Sequence, residues 1–451
     1  MCSTAAKTEP RMKTRSNTDI RGWKSVDILV FLIPSLQFVQ VKVIGTLSGS
    51  DLMMLAVFFY LAFRGKIRIA TGVGKIFVVL CLLWLVSQVV TDIVRHTAFA
   101  DYARGWSMIG MTLISFVVLY MLLYGRPRRL LFYGWGLVIG GVLTPLISPV
   151  YFAGDDPWKF GFGMPVSLAV FVLVSSEKFR GYWQITLGAL IGAFDIYKGS
   201  RSLGGVCLAA ALYILVTRLF RGMSAGGRKL KAGPIVVLTA SLVLGAVGIV
   251  RAYQYAATSG ILGEKAKEKY ELESGGKYGI IIGGRSDLLG SIPAIYDSPI
   301  LGHGSWARDW TYIIAEQQAL LIMGYKEPFV MTREDYEEGL IPAHSYLTQA
   351  WVFAGIAGAL FWAWILVLTV RMLMRVYPAT VTFLPVMCFG AFSLLWDILF
   401  SPYGSTERIY FPYYFVMLMT LSSVAPRKAV RTVIKKRKRK INAGLTPRPQ
   451  H

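Results

Sequence analysis

Cysteine and histidine are both scarce in this chain, with four of each among 451 residues. Cys81, Cys207 and Cys388 fall inside apolar stretches and Cys2 in a polar leader, a placement that excludes a disulfide framework. No Cys/His cluster has the spacing of a zinc site. There is no Gly-x-x-x-x-Gly-Lys loop and no Gly-x-Gly-x-x-Gly turn after a strand, so nucleotide hydrolysis and dinucleotide redox lack their phosphate cradles. Acidic residues are also few, 25 against 48 Lys and Arg, for a net charge of +23.

What the chain has in abundance is hydrophobic length. A helix needs roughly 20 mostly apolar residues to cross a bilayer's hydrocarbon core. Twelve stretches approach or meet that length, centred on Ser25–Thr46, Asp51–Phe63, Lys75–Val94, Trp106–Leu123, Leu130–Val150, Phe162–Ser176, Tyr182–Tyr197, Leu203–Thr217, Pro234–Val250, Tyr346–Val370, Ala379–Phe400 and Ile409–Val424. Their sum predicts an all-α integral membrane protein with about twelve transmembrane helices.

Charge gives an independent check, because short loops rich in Lys and Arg stay on the cytoplasmic side. If the basic start (Lys7, Arg11, Lys13, Arg15, Arg21, Lys24) lies inside, every even-numbered loop should be basic, and each is: Arg64-Lys66-Arg68, Arg126-Arg128-Arg129, Lys178-Arg180, Arg218 to Lys231, Arg371-Arg375, and the tail from Arg427. Both termini are therefore expected inside. The first apolar stretch follows a long polar leader and has spanning length, which predicts an uncleaved anchor. The resulting domains are a basic segment at 1–24, helices over 25–250, a polar loop over 251–345, helices over 346–424, and a basic tail over 425–451. That tail, with ten Lys or Arg from Pro426 on and no acid, suits anionic lipid headgroups; a nucleic acid or protein partner is the other reading of its Lys435–Lys440 run. With topology accounting for most of the charge, no nucleic-acid partner is expected.

The stretch from Arg251 to His344 differs, with nine basic and thirteen acidic residues for a net −4, and is expected outside. Three elements near that outer face carry the chemistry. The first is Lys198-Gly199-Ser200-Arg201-Ser202, where an arginine contradicts the inside-positive trend. It either snorkels to the interface or holds an anion, its planar fork matching phosphate oxygens. The second runs from Gly283 to Trp306. Leu288, Leu289, Ile292, Ile295 and Tyr296 predict a helix with one apolar face, capped by Ser286, so that Arg285 stands beside free backbone donors at a plausible pyrophosphate seat. The third is His344, directly before an apolar span, which is either a helix cap or a general base for a hydroxyl. Asp155-Asp156 offers too few ligands for a metal and reads as a hydrated loop. Glu264 to Glu271 reads as a solvated, salt-bridged helix. The Gly-rich stretch Trp351 to Gly358 either packs helices or lines a lipid groove.

Gly199-Ser200-Arg201 after a middle span, Gly284-Arg285 followed by Ser298-Pro299-Ile300-Leu301-Gly302-His303-Gly304, and His344-Ser345-Tyr346-Leu347 opening a Gly-rich span occur in that order. In this the chain resembles the O-antigen ligase and O-antigen polymerase superfamily of bacterial inner-membrane glycosyltransferases. The resemblance covers most of the chain, including the large outer loop between the ninth and tenth spans. It implies a GT-C-like fold, an undecaprenyl-diphosphate-linked glycan donor, no metal or other cofactor, and catalysis by Arg201, Arg285 and His344 at a periplasmic site. His344 would then be the general base. Ser200, His303, Trp306 and Arg308 are expected to bind substrate beside the two arginines, Trp306 and Trp310 either stacking on sugars or resting at the headgroup boundary. The acceptor is a glycan, in a polymerase, or lipid A core, in a ligase; a chain-length regulator is a further partner to expect. The long acidic loop with interleaved aromatics favours polymerisation. A twelve-span transporter or flippase for lipid-linked sugars is the competing class, but the halves show no repeat and polar residues gather at one surface.

Overall fold

Hydrophobic segments of this length have one way to satisfy their backbone in an apolar medium, the helix, and helices dominate the fold. The computed structural model describes residues 25–149, 154, 156–176, 179, 181–219, 232–325, 339–376 and 383–423. The basic leader, the basic tail, Asp155, and the loop charges Lys178, Arg180, Arg221, Arg228, Lys229 and Lys231 lie outside the described residues.

Each of the twelve apolar stretches contains helix. In chain order the helices are α1 (Ser25–Ser35), α2 (Gly49–Phe63), α3 (Gly72–Val94), α4 (Phe99–Leu123), α5 (Pro127–Ile147), α6 (Gly163–Val174), α7 (Trp183–Tyr197), α8 (Arg201–Leu219) and α9 (Ala232–Thr258). The polar segment supplies α10 (Glu264–Ser274), α11 (Gly279–Gly283), α12 (Asp287–Asp297) and α13 (Trp310–Ile322). Then come α14 (Tyr346–Ala354), α15 (Ile356–Val376), α16 (Leu384–Phe400) and α17 (407–423). Among the described residues five helices, α3, α4, α5, α8 and α15, are long and apolar enough to cross a membrane by length and composition. On α3, Val79, Leu83, Val86 and Ile93 are more than half exposed while Phe77, Cys81 and Trp84 are buried, so the helix is apolar on its outward face too. A helix hydrophobic all round belongs in an apolar medium.

The centre is aromatic. Phe77 of α3 stacks on Phe116 of α4 with ring centres 3.8 Å apart and meets Phe361 of α15 edge-on at 5.3 Å. Trp362 of α15 lies 4.8 Å from both Phe411 of α17 and Tyr346 of α14.

The structure departs from the sequence pattern in three places. The first stretch is not one helix: after α1 and a short turn the chain forms an antiparallel hairpin, β1 (Gln40–Val43) against β2 (Gly45–Ser48). Val39, Val41 and Val43 alternate with Gln40 and Lys42, a period of two that overrides hydrophobic length, and Gly45 takes the turn's left-handed φ of 84°. The tenth stretch breaks at Gly355, whose φ is 65° and where an added Cβ would lie 1.9 Å from the Ile300 carbonyl oxygen. Gly358 likewise lies against the Ala350 carbonyl, 2.4 Å from where a Cβ would stand, so these glycines serve close backbone packing. Finally, α12 buries Gly290, Ser291 and Ala294, leaving Ile292 and Tyr296 58% and 84% exposed. Its small residues, not its large ones, admit the neighbouring segment: Gly290 sits under the ring of Pro342, where a Cβ would be 2.8 Å from Cγ.

Candidate functional site

Arg201 begins α8, two residues after Gly199, whose φ of 80° turns the chain out of α7. Its guanidinium is not free. It forms a two-pronged pair with Glu273 of α10, Nη1 to Oε2 at 2.5 Å and Nη2 to Oε1 at 2.6 Å, and lies 5.1 Å from the Tyr253 ring centre. Glu273 is 3% exposed, so the polar segment is fastened to α8 by a largely buried charge pair. Ser200 is buried, and its hydroxyl oxygen has no hydrogen-bond partner among the described residues.

Arg285 stands at the start of α12 and projects onto α16, its guanidinium carbon 5.2 Å from the Trp396 ring centre and 5.3 Å from that of Phe400. Among the described residues it has no ion pair. Burial pulls this group below its ordinary value; Asp287 and Glu273 oppose that shift and the like charge of Arg201 adds to it. Arg201 and Arg285 are therefore close enough to repel. A guanidinium stays protonated through such a shift, so the Arg285 cation feels both members of the Arg201–Glu273 pair. The expected cap at Ser286 is absent. The residue has helical φ and ψ and makes no capping bond; its hydroxyl faces Glu316 of α13 instead.

His344 is exposed, on the turn before α14. It is not the cap of that helix. Ser345 is, its Oγ accepting from the Thr348 amide at 2.9 Å. The Pro342 contact with Gly290 packs this turn against α12, the helix that Arg285 precedes.

His303, Trp306 and Arg308 gather elsewhere, around a cavity of about 260 Å³ that Arg95 and Asp101 also line. His303 Nε2 is hydrogen-bonded to the Ala294 carbonyl at 2.7 Å. Trp306 packs on Phe353 at 5.7 Å, and Arg308 Nη1 donates to Asp101 at 2.6 Å. The run from Ser298 to Ser305 is mainly a structural wedge. Its His303 and Gly304 amides donate to the carbonyls of Val352 and Phe353, while Arg95 at the end of α3 donates to the Gly302 carbonyl and the Ser298 hydroxyl.

Sequence reasoning missed several partners. Asp92 of α3 is 2% exposed and accepts from the Ser305 amide at 2.6 Å, the Ser305 hydroxyl and Trp106 Nε1, both at 2.8 Å. An acid near the end of an apolar span was the available signal. Asp195, fully buried in α7, accepts from Trp158 Nε1 and Ser167 Oγ at 2.9 and 2.8 Å. Glu273 lies two residues beyond the stretch read as solvated and is four residues from Lys269, which disguises it as a surface pair. Asp156 accepts from the Lys159 amide, and among the described residues no group of three His, Cys, Asp or Glu could hold a metal.

No family model, curated protein or solved structure matches the chain.

Proposed function

We propose that this chain is a metal-independent, inverting glycosyltransferase of the inner membrane, with twelve spans, GT-C-like architecture, cytoplasmic termini and a periplasmic active site. Its donor is an undecaprenyl-diphosphate-linked oligosaccharide, and its reaction is polymerisation of O-antigen or exopolysaccharide repeat units. The observation carrying this reading is that Arg285 lies on the Trp396 and Phe400 rings with no ion pair among the described residues, while the segment that bears the exposed His344 packs through Pro342 on α12, the helix Arg285 precedes.

The chemistry follows from the residue types. A diphosphate leaving group gathers negative charge as its bond to the anomeric carbon breaks, and fixed guanidinium groups stabilise that charge where water is scarce. Donor phosphate competes with Glu273 for Arg201, exchanging one two-pronged anion for another. His344 takes the acceptor hydroxyl's proton while that oxygen bonds to the anomeric carbon, and the departing diphosphate carries off the electron pair. One displacement inverts the configuration.

The test is complementation of a deletion strain with wild type and His344→Ala, with membrane levels measured and the surface glycan resolved on a gel. Wild type restores a ladder, and normally abundant His344→Ala collapses it to a single repeat, consistent with general-base contributions of about 10²–10⁴-fold. Loss of all surface glycan with long lipid-linked chains accumulating assigns ligation to lipid A core instead. An unaffected ladder removes His344 from the mechanism.

A further inference from the structure

The large apolar side chains of α12 face away from the protein, although their spacing fits a helix packed on a core. Ile292 and Tyr296, one helical turn apart, are both exposed, and Ile300 in the turn that follows is 75% exposed. A lone exposed apolar residue is ordinary, but neighbouring ones of this size mark a surface that something apolar covers.

The fastening of Ile300 identifies that cover. Its carbonyl accepts from the Ile356 amide at 3.2 Å, where α15 begins. The next carbonyl, of Leu301, accepts from the Thr91 hydroxyl, and that of Gly302 from Arg95 Nε at 3.1 Å, both at the end of α3. Ile300 therefore stands between the first turn of α15 and the last turn of α3, two helices of membrane-crossing length. Each presents apolar side chains outward at that end: Ile356 and Leu360 on α15, Ile93 and Val94 on α3. Arg95, the charge nearest this junction on α3, spends its donors inward on Gly302 and Ser298. The outward apolar surfaces of two spanning helices thus meet at Ile300, and Tyr296 and Ile292 lead away from it along α12.

We propose that α12 is an interfacial helix, with Ile292, Tyr296 and Ile300 seated in the acyl chains of the adjoining leaflet while Gly290 and Ala294 on its opposite face pack on the protein. Tyr296 suits the membrane–water boundary, its ring apolar and its hydroxyl able to reach water. Asp297, beside it, accepts from the Tyr312 hydroxyl at 2.9 Å and so turns toward α13, the edge of the helix that stays in water. A free interfacial helix relies on Lys and Arg to find an anionic surface. α12 contains neither and needs neither, because the bundle holds both its ends: Arg285 lies on the α16 rings before it, and Ile300 to Gly302 are bonded to α15 and α3 after it. Part of the segment expected outside from its charge is thereby returned to the membrane. The inference does not depend on the glycosyltransferase reading.

The experiment is spin labelling of the full chain, one copy per nanodisc, in a Cys2→Ser background; Cys81, Cys207 and Cys388 are buried. Labels are placed at Tyr296→Cys and Ile300→Cys, with the outward Leu83→Cys of α3 as the lipid control and the exposed Glu268→Cys of α10 as the water control. Collision with oxygen, which concentrates in lipid, is compared with collision with a water-soluble nickel chelate. The oxygen-to-nickel ratio at 296 and 300 is expected to exceed that at 268 at least threefold, with 300 approaching the value at 83. A ratio equal to that at 268 puts the row in water, and weak collision with both reagents puts it under protein; either overturns the proposal. The unsubstituted chain gives a second reading, by photolysis in nanodiscs of lipid carrying a diazirine on its acyl chain. The peptide holding Tyr296 and Ile300 is expected to be tagged and that of Glu264–Ser274 not; tagging of α3 without tagging of the Tyr296 peptide also overturns the proposal.

Discussion

At the scale of single residues, the two arginines are held in opposite ways, and their substitutions should differ accordingly. Arg285 is supported by stacking on Trp396 and Phe400, contacts worth about 0.5–2 kcal/mol each, and it makes no ion pair among the described residues. Arg285→Ala is expected to lower turnover by about 10²–10³-fold with little loss of folded protein, the scale seen when one preorganised donor to a developing anion is removed. Arg285→Lys recovers only part of it, because an ammonium neither stacks nor forks. Rates in proteoliposomes, normalised to protein level, check both. Arg201 instead spends its fork on Glu273. Glu273→Gln keeps the shape and removes the charge, leaving the half-buried arginine unmatched; thermal unfolding in detergent should show a loss of about 1–3 kcal/mol. Arg201 was legible in the sequence because positive charge at an expected outer boundary is anomalous, and Arg285 because it stands just before a helix start readable from its spacing. Their partners were not: Glu273 is 72 residues from Arg201, and Trp396 is 111 from Arg285, separations at which no local pattern speaks.

Among the elements, legibility follows the range of the signal. Hydrophobic length is local, so all twelve apolar stretches contain helix, and the helical run from Asp287 was readable from its spacing. The orientation of α12 was not, because the face a helix buries depends on what meets it. Here Pro342 approaches Gly290 so closely that a small residue is needed, and Ile292 and Tyr296 are turned outward. The α12–α13 contact also buries a titratable group. Glu316 is 2% exposed, its Oε2 has no partner among the described residues, and burial raises it from 4.5 to about 7; Asp287 pushes in the same direction and the Ser286 hydroxyl opposes. The folded state therefore holds this proton more tightly than the unfolded state, whose value is near 4.5. Its favourable contribution is full below about pH 4.5 and is lost as pH rises toward 7. Glu316→Gln should flatten stability against pH across that window and raise stability above it. Hydrogen exchange of α13 amides at pH 5 and pH 8 makes the comparison; an equal pH slope in wild type and variant removes Glu316 as its source.

For the whole molecule, the question is what ties the two ends of the bundle into one body when helix faces meet an apolar medium and the hydrophobic effect between them is weak. Polar ties supply part of the answer, and the most buried ion pair among the described residues joins positions 357 apart. Asp51, in the first turn of α2, accepts at Oδ2 from the Ser48 amide at 2.9 Å and from Arg408 Nη2 at 3.0 Å. The same Arg408 nitrogen also donates to the Thr46 carbonyl of β2 at 2.9 Å. Arg408 is 4% exposed and Asp51 fully buried, so neither charge has water to fall back on. The hairpin that interrupts the first apolar stretch now has a physical role: it carries Thr46 and Ser48 to the lip of α17, where a continuous helix could not. Removing one member leaves the other charged and buried, which costs about 3–5 kcal/mol, whereas removing both relieves the penalty. Arg408→Met should therefore lower the unfolding temperature sharply. Asp51→Asn should do so somewhat less, since the amide retains an acceptor for the Ser48 cap. The double variant should be more stable than the sum of the single losses allows, with a coupling of about 0.5–3 kcal/mol in a thermal double-mutant cycle. Strict additivity would mean that the pair is not what closes the bundle, and that the aromatic contacts among α3, α15 and α17 hold the first and last helices in place without it.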